Sequence, residues 1–149
     1  MYMGHIRMAQ GSDALELLKL NDLFNGKGSN TLAGIKESLQ TNTTEVVCVA
    51  VDDDHLVGFC CGQIYLSMCY SSPYAEITEL FVEDEHRRQG VGRLLLTFME
   101  GELAKRGVYH LHILTFKDNH AARSLYRSLG YVETLEMLLD KDQAVKGEP

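Results

Sequence analysis

A glycine-rich turn between a strand-like run and a helix-like run constrains this chain more than any other feature. The turn reads Arg-Arg-Gln-Gly-Val-Gly at residues 87–92, after an apolar run at 77–82 and before an amphipathic run at 92–106. A helix that starts at such a turn presents unpaired backbone N–H groups and the positive end of its dipole. Glycines at 90 and 92 leave no Cβ in the way of an anion, and arginines at 87, 88 and 93 add positive charge. The turn therefore predicts a phosphate-binding site.

The composition favours a cytoplasmic protein of one domain. With 149 residues, of which 45% are hydrophobic and 23% charged, the chain is long enough to bury a core. Its net charge of −7 argues against nucleic-acid binding and is compatible with a cationic substrate. We find no apolar run of membrane-spanning length and no apolar core of a signal peptide, so we expect no membrane partner. We predict a single domain over residues 1–149, with a flexible tail at 142–149.

The cysteines and histidines do not form a recognisable metal motif. The four cysteines are Cys48, Cys60, Cys61 and Cys69. They lie in or beside strand-like segments without a C-x-x-C pair, which predicts reduced, buried thiols. His110 and His112 alternate on one strand face, but no third ligand lies at a useful spacing. We therefore expect no metal site.

Hydrophobic periodicity and turn residues predict the element order β-α-α-β-β-β-α-β-α-β. The predicted strands are 5–8, 45–51, 55–66, 75–82, 110–116 and 131–139, and the predicted helices end near 25, 40, 106 and 129. Glycines at 58 and 62 indicate bends or bulges in the third strand. The apolar stripe predicted for the long helix comprises Val91, Leu94, Leu95, Phe98 and Met99. This order indicates a mixed α/β (α+β) fold, with a largely antiparallel sheet and flanking helices.

Three phosphate-binding motifs place a glycine-rich turn ahead of a helix. A P-loop requires lysine after its last glycine, whereas Arg93 follows Gly92. The dinucleotide fingerprint G-x-G-x-x-G requires a glycine at the position of Leu95, and it follows the first strand of a βαβ series rather than a run of hairpins. The third motif, R/Q-x-x-G-x-G/A, is satisfied by Arg87, Gly90 and Gly92.

Over residues 75–132 the chain resembles the GNAT superfamily of acetyl-CoA-dependent N-acetyltransferases. That family combines this motif with a long helix, a strand, and Asn-x-x-Ala-x-x-x-Tyr on a second helix. Asn119, Ala122 and Tyr126 match the second part, and Leu-Gly-Tyr at 129–131 resembles the family's usual ending. The resemblance implies a sheet in which two strands splay apart to hold acetyl-CoA. The N-terminal half fits the family by element order alone.

The resemblance also implies which residues hold the cofactor. The pantetheine arm of acetyl-CoA is an extended amide chain that can pair with an open strand edge. The strand before the motif would supply that edge, the turn would hold the pyrophosphate, and Asn119 would bond the arm from the other side. The cofactor-binding residues predicted in this way are Leu80, Phe81, Val82, Arg87, Arg88, Gln89, Gly90, Val91, Gly92, Arg93, Asn119, Ala122 and Tyr126.

Acetyl transfer requires a neutral amine, so a base must remove a proton from the acceptor. Glu76 and Glu79 lie on the strand before the motif and are the candidate bases. Their odd offset puts them on opposite faces of a regular strand, and only a bulge would change that phase. The resemblance implies a bulge in the strand before the motif, and we favour Glu79 because it lies nearer that bulge and the cofactor gap. Tyr126 matches the family's tyrosine that faces the cofactor sulfur, which implies a role as the acid for the departing thiolate.

These residues predict an N-acetyltransferase in which an amine attacks the thioester of acetyl-CoA directly. The acidic balance favours a small cationic acceptor, such as a polyamine-like or aminoglycoside-like amine. Two alternatives stay open: a protein or peptide acceptor, reacting at its N-terminus or a lysine, and a CoA-binding module without catalysis. A homodimer is compatible with the resemblance. Residues 23–39 and 65–74 are expected to shape the acceptor site, but they carry no motif that identifies the amine.

Overall fold

One five-stranded sheet organises the first of the chain's two units, Met1–Leu114. In this computed structural model, which describes residues 1–143, the strands lie side by side in chain order. Neighbours are antiparallel as far as the fourth strand, and the fifth joins the fourth in parallel. The strands are β1 (His5–Met8), β2 (Glu45–Asp52), β3 (His55–Tyr65), β4 (Tyr74–Val82) and β5 (Leu111–Ile113). The predicted mixed and mostly antiparallel sheet is confirmed.

Three helices of the first unit cover the two faces of this sheet. They are α1 (Ala14–Asn25) and α2 (Leu32–Thr41) on one face and α3 (Val91–Lys105) on the other. The start of α2 is fixed by Thr31, whose side-chain oxygen accepts a hydrogen bond from the N–H of Gly34 at 3.0 Å. Among residues 1–143, no helix is long and apolar enough to cross a membrane.

Two glycines on β3 allow α3 to lie close to the sheet. A Cβ at Gly62 would lie 2.9 Å from the sulfur of Met99, and a Cβ at Gly58 would lie 3.3 Å from a methyl of Leu95. The buried residues of α3 are Val91, Leu95, Leu96, Met99 and Leu103. The predicted stripe was wrong at Leu94, which is 47% exposed because the helix turns that position away from the sheet.

The opposite face of the sheet is covered by the apolar side of α1. Leu17 and Leu20 of α1 pack in one cluster with Phe59 of β3 and Phe81 of β4. The ring of Phe24, near the end of α1, lies 5.3 Å from that of Phe81. This face also carries the candidate site described below.

All four cysteines are free thiols. Cys48, Cys60 and Cys61 are buried in the sheet, as predicted. The prediction of a buried thiol was wrong for Cys69, because it falls in the exposed loop between β3 and β4 rather than in a strand.

The second unit, Thr115–Pro149, contains one helix, α4 (His120–Ser128), and no strand among its described residues. The predicted strand at 131–139 is therefore wrong. A strand needs a partner for its backbone groups as well as a suitable composition, and the ladder described in the sheet ends at β5. β5 itself has three residues, where the sequence predicted seven over 110–116. Residues 144–149, with most of the predicted tail, lie outside the described part, and the single domain stays a prediction.

Candidate active site

An irregularity in β4 decides which way its side chains face. On β3, Cys61 and Gly62 are neighbours, yet their partners on β4 are Glu79 and Ile77. Thr78 is therefore an extra residue, which makes a β-bulge at this point of the ladder. Beyond the bulge, every side chain of β4 faces the side opposite to the one that simple alternation assigns it.

The bulge brings Glu76 and Glu79 to the same face of the sheet. Glu76 lies opposite Gln63, and Glu79 lies opposite Cys61. Side chains two positions apart on β3 lie on the same face of the sheet, and paired residues on neighbouring strands also lie on the same face. The opposite orientation predicted for a regular strand does not apply, because the bulge changes the phase. Both glutamates lie on the face that α1 and α2 cover.

A cavity of about 190 Å³ opens on this face, between the sheet and the two helices. Its residues are Leu17, Asn21, Asn25, Asn30, Ile35, Ser38, Leu39, Glu45, Val47, Phe59, Cys61 and Glu79. None of these described lining residues is a lysine, arginine or histidine, and two are carboxylates. The predicted segment 23–39 contributes to the wall, whereas no lining residue comes from 65–74. The wall therefore suits a cationic molecule.

Glu79 has the properties of a base in this cavity. Burial raises the pKa of its carboxyl, and the negative charge of Glu45 raises it further. A hydrogen bond from the side chain of Asn25 opposes the shift. A carboxylate with a raised pKa binds a proton more readily near neutral pH, which is what proton removal from an ammonium requires.

The second carboxylate on the cavity wall belongs to Glu45, the first residue of β2. Its Oε2 accepts hydrogen bonds from Oγ of Ser38 at 3.3 Å and from Nδ2 of Asn42 at 3.4 Å. These bonds attach the carboxylate to α2 and to the residue that follows it. The sequence does not mark Glu45 as a site residue, because an exposed charge at the start of a strand is common and no motif includes it.

Glu76 lies outside the cavity, in a cluster of aromatic rings and histidines. Its Oε2 accepts a hydrogen bond from the hydroxyl of Tyr65 at 3.2 Å, and the ring of Tyr65 stacks on that of Tyr74 at 5.0 Å. His112 lies opposite Glu76 on β5, and its Nε2 is 2.9 Å from the Nε2 of His110. The two histidines therefore pack on each other. Within residues 1–143, no group of three or more acidic, histidine or cysteine side chains is arranged to hold a metal ion.

The outer edge of β4 is open beyond the bulge. Pairing between β4 and β5 stops at Ile77 and Ile113. In the described part of the chain, residues 78–82 of β4 pair with β3 alone. This leaves a stretch of strand edge without a neighbouring strand, as the predicted splay between two strands requires.

Hydrogen bonding identifies which backbone groups face that edge. The N–H of Glu83 donates to the carbonyl of Val57 at 2.9 Å, so this pair belongs to the ladder with β3. Bonding to one neighbour alternates along an antiparallel strand. The backbone groups of Phe81 therefore face β3, and those of Leu80 and Val82 face the open edge.

The segment that joins β4 to α3, residues 83–90, is called the β4–α3 turn below. Arg87 of this turn bonds back to the strand: its Nε donates to the carbonyl of Val82 at 2.8 Å, and its guanidinium pairs with Asp84 at 2.8 Å. The side-chain amide of Gln89 donates to the carbonyl of Glu85 at 2.8 Å. These side chains shape the turn, and their predicted contacts with a phosphate stay predictions.

The N-terminus of α3 has the features of a diphosphate site. Gly90, its N-cap residue, is left-handed with φ +85°, and no heavy atom lies within 4 Å of the place that a Cβ would occupy. The first N–H groups of the helix, from Val91 onward, have no acceptor within the helix itself. Arg88 and Arg93 are exposed beside it. Backbone donors, open space and positive charge at one place fit the phosphates of a cofactor.

The remaining predicted residues belong to the second unit. Asn119, Ala122 and Tyr126 share one face of α4 by their spacing. The side-chain oxygen of Asn119 accepts a hydrogen bond from the N–H of Ala122 at 3.2 Å and so caps the helix. The ring of Tyr126 lies 6.1 Å from that of Tyr131. The predicted contacts of these residues with a cofactor stay predictions.

Sequence comparison relates the chain to known acetyltransferases. The sequence model of the acetyltransferase (GNAT) family matches residues 17–131. An uncharacterised N-acetyltransferase of Bacillus subtilis is 28% identical over an alignment of 136 residues, and the alignment covers 87% of this chain and 90% of that protein. A [ribosomal protein bS18]-alanine N-acetyltransferase of Escherichia coli K12 is 42% identical over 59 residues. That match spans only 40% of the length of each protein.

The fold is also similar to that of a solved acetyltransferase. AAC(6')-Iy, in complex with the bisubstrate analogue CoA-S-monomethyl-acetylneamine, superposes with a TM-score of 0.81. The superposition covers 95% of this chain and 99% of that one, at 22% sequence identity. At this identity the similarity establishes a shared fold.

Proposed function

Because the chain belongs to the acetyltransferase (GNAT) family, we propose that it transfers the acetyl group of acetyl-CoA to a primary amine of a small cationic molecule. The family is established by the sequence match, and the activity and the nature of the acceptor are the proposal. The observation that carries it is the cavity beside the bulge of β4, whose wall bears the carboxylates of Glu79 and Glu45 and no basic residue among those described.

Acetyl-CoA would supply the acetyl group in activated form, as a thioester. Its diphosphate would accept hydrogen bonds from the first N–H groups of α3, at Val91 and Gly92, with Arg88 and Arg93 adding charge. The amides of its pantetheine arm suit the open edge of β4 at Leu80 and at the N–H of Val82. N–H groups on this edge also suit the negative charge that develops on the thioester oxygen.

Glu79 would act as the base. An alkyl amine with a pKa of about 10.4 is protonated at pH 7, and removing that proton costs about 4.6 kcal/mol. The carboxylate of Glu79 lies on the cavity wall and has a raised pKa, so it is placed to receive the proton at an Oε atom. Glu76 is less suited, because it lies outside the cavity and bonds to Tyr65.

Tyr126 would act as the acid that protonates the departing thiolate. The spacing of Asn119, Ala122 and Tyr126 on α4 supports this role through the family pattern. The phenol of Tyr126 carries an O–H group, which can donate a proton to the departing thiolate.

The acceptor would enter the cavity with its amine first. A volume of about 190 Å³ is smaller than the sites that enclose a drug-sized ligand, so the cavity holds the amine-bearing end while the rest lies outside. A second positive charge on the acceptor would interact with Glu45. A diamine or polyamine therefore fits the wall better than a neutral amine or a monoamine.

A peptide N-terminus is the second candidate acceptor. The Escherichia coli relative, 42% identical over 59 residues, is named for an alanine of a ribosomal protein. A terminal amine on an extended chain would also fit a small cavity with the rest of the substrate outside. The two candidates differ in their need for a second cation at Glu45.

A thiol-release assay with acetyl-CoA tests the proposal. The panel should contain a diamine, a monoamine of equal length, an aminoglycoside and an alanine-terminated peptide. We expect the diamine to give the highest kcat/KM, and the Glu45→Gln variant to raise the KM for the diamine while leaving that for the monoamine unchanged. Preference for the peptide would support the second candidate. No thiol release with any amine would reject both.

A further inference from the structure

One side chain of the β4–α3 turn is withdrawn from solvent. The side chain of His86 is 22% exposed, whereas those of Arg87 and Asp84 in the same turn are 52% and 85% exposed. A partly buried polar side chain in a mostly exposed turn indicates a specific contact.

His86 lies between two carboxylates from different parts of the chain. Its Nε2 is 3.5 Å from Oδ2 of Asp52, and its Nδ1 is 3.7 Å from Oε2 of Glu83. Nδ1 is buried without a hydrogen-bond partner among the described residues. Asp52 ends β2 and is itself only 22% exposed at its side chain. Asp53 and Asp54 then form the tight turn into β3, both with positive φ.

The contact with Asp52 differs from the other side-chain contacts described for the turn. Arg87 bonds to Val82 and Asp84, and Gln89 bonds to Glu85, so these bonds join residues that are close in sequence. His86 instead joins the turn to the hairpin between β2 and β3. A link to a separate element restricts how the turn can move relative to the sheet.

We infer that His86 is a positioning residue for cofactor binding. Anchored on Asp52, it holds the turn in the shape that presents Gly90 and the first N–H groups of α3 to the diphosphate. The inference rests on the proposed function, because it assumes that acetyl-CoA binds at this helix end. The ring of His86 meets Asp52 through Nε2, at an ion-pair distance of 3.5 Å.

Substitutions at His86 can distinguish the effect of its contact with Asp52 from the effect of the size of its ring. The amide nitrogen of glutamine can replace Nε2, whereas that of asparagine is too short to reach Asp52. We expect His86→Ala and His86→Asn to raise the KM for acetyl-CoA and the Kd for CoA about tenfold, because both remove the contact that joins the turn to Asp52. The kcat should change less than twofold, and His86→Gln should restore most of the affinity.

Substitutions on the hairpin supply the partner and the control. Asp52→Ala should match His86→Ala, and the double variant should be no worse than either one, because both remove the same link. Asp53→Asn removes a charge from the same hairpin, and asparagine tolerates its positive φ, so we expect wild-type constants. Urea unfolding of each variant checks that it is folded under the assay conditions.

The outcomes keep the two proposals apart. Wild-type protein that neither binds CoA nor releases thiol would overturn the proposed function, and this inference with it. Wild-type protein that does both, beside a His86→Ala variant with unchanged KM and Kd, would overturn the inference alone. A fall in kcat at unchanged KM, or equal losses in His86→Gln and His86→Asn, would also contradict it.

Discussion

The strongest test of the candidate site is the removal of the Glu79 charge. Glu79→Gln keeps the size of the side chain and its position on the cavity wall, but it cannot receive a proton. We expect kcat/KM for the amine to fall about 100-fold or more at pH 7, since positioned acid–base groups contribute factors of about 10² to 10⁴. Glu76→Gln, on the same strand and face but outside the cavity, should have a smaller effect.

The pH dependence follows from the state of the amine. At pH 7 an amine with a pKa of about 10.4 has a neutral fraction of about 1 in 2,500, equivalent to 4.6 kcal/mol, and this fraction grows about tenfold for each pH unit. The Glu79→Gln variant has no base at this position, so it can react only with the amine that is already neutral in solution. Its kcat/KM should therefore rise about tenfold per pH unit between pH 7 and 9, and the deficit against the wild-type enzyme should shrink.

Stability supplies an independent readout of the same carboxylate. The pKa of Glu79 is raised in the folded protein, chiefly by burial. Folding therefore favours the protonated form of the carboxyl. Its contribution to stability is fully present below its pKa in the unfolded chain, about 4.3, and is lost as the pH rises through its pKa in the folded protein. Urea unfolding between pH 4 and 7 should show wild-type protein losing stability relative to Glu79→Gln.

Two results would refute this reasoning. Glu79→Gln with wild-type kcat/KM at pH 7 would show that another group removes the proton. A larger loss in Glu76→Gln than in Glu79→Gln would assign that role to Glu76 and to the cluster around Tyr65.

Three further predictions concern other parts of the chain. The carboxylate of Asp13 accepts two hydrogen bonds from Arg7, at 2.7 and 2.9 Å, and these bonds are the main cause of its lowered pKa. Asp13→Asn should therefore lower the free energy of unfolding by about 1–3 kcal/mol at pH 7. That difference should shrink below pH 4, as wild-type Asp13 becomes protonated, and urea titrations at both pH values will check it. Gly62→Val should destabilise by about 1–3 kcal/mol in the same titration, because its Cβ would lie 2.9 Å from the sulfur of Met99, and an unchanged midpoint would contradict the close packing of α3. Tyr126→Phe should lower kcat in the thiol-release assay without changing the KM for the amine, and an undiminished kcat would remove Tyr126 from the acid role.

Local patterns in the sequence predicted the elements well where each element depends on its own residues. The turn before α3 is an example, because a left-handed glycine and a run of apolar residues at helical spacing are local properties. β1 and the hairpin between β2 and β3 were predicted for the same reason. The predicted strand at 131–139 failed because a strand also needs a partner, and its composition carries no information about one.

The site was predictable only in part, because its geometry depends on contacts between strands. Alternation along β4 alone gives the wrong relation between Glu76 and Glu79. The family resemblance implied a bulge in this strand, but the residues of β4 do not give its position. Glu45 and His86 gave no signal either. Each acts through a partner 34 residues away in the chain. The partner of Glu45 is Glu79, on the far side of β3, and the partner of His86 is Asp52.

The bulge at Thr78 connects the two halves of the proposed reaction. It lies directly after Ile77, the last residue of β4 that pairs with β5, so the free edge of β4 begins where the phase of its side chains changes. In a regular strand without the bulge, the side chain at position 79 would face α3 and the one at position 80 would face the cavity. The cavity would then lose the carboxylate proposed as the base. With the bulge, Glu79 faces the cavity while the backbone groups of Leu80 face the open edge. The acceptor and the thioester can then approach the same short segment of β4 from two directions, which direct transfer between them requires.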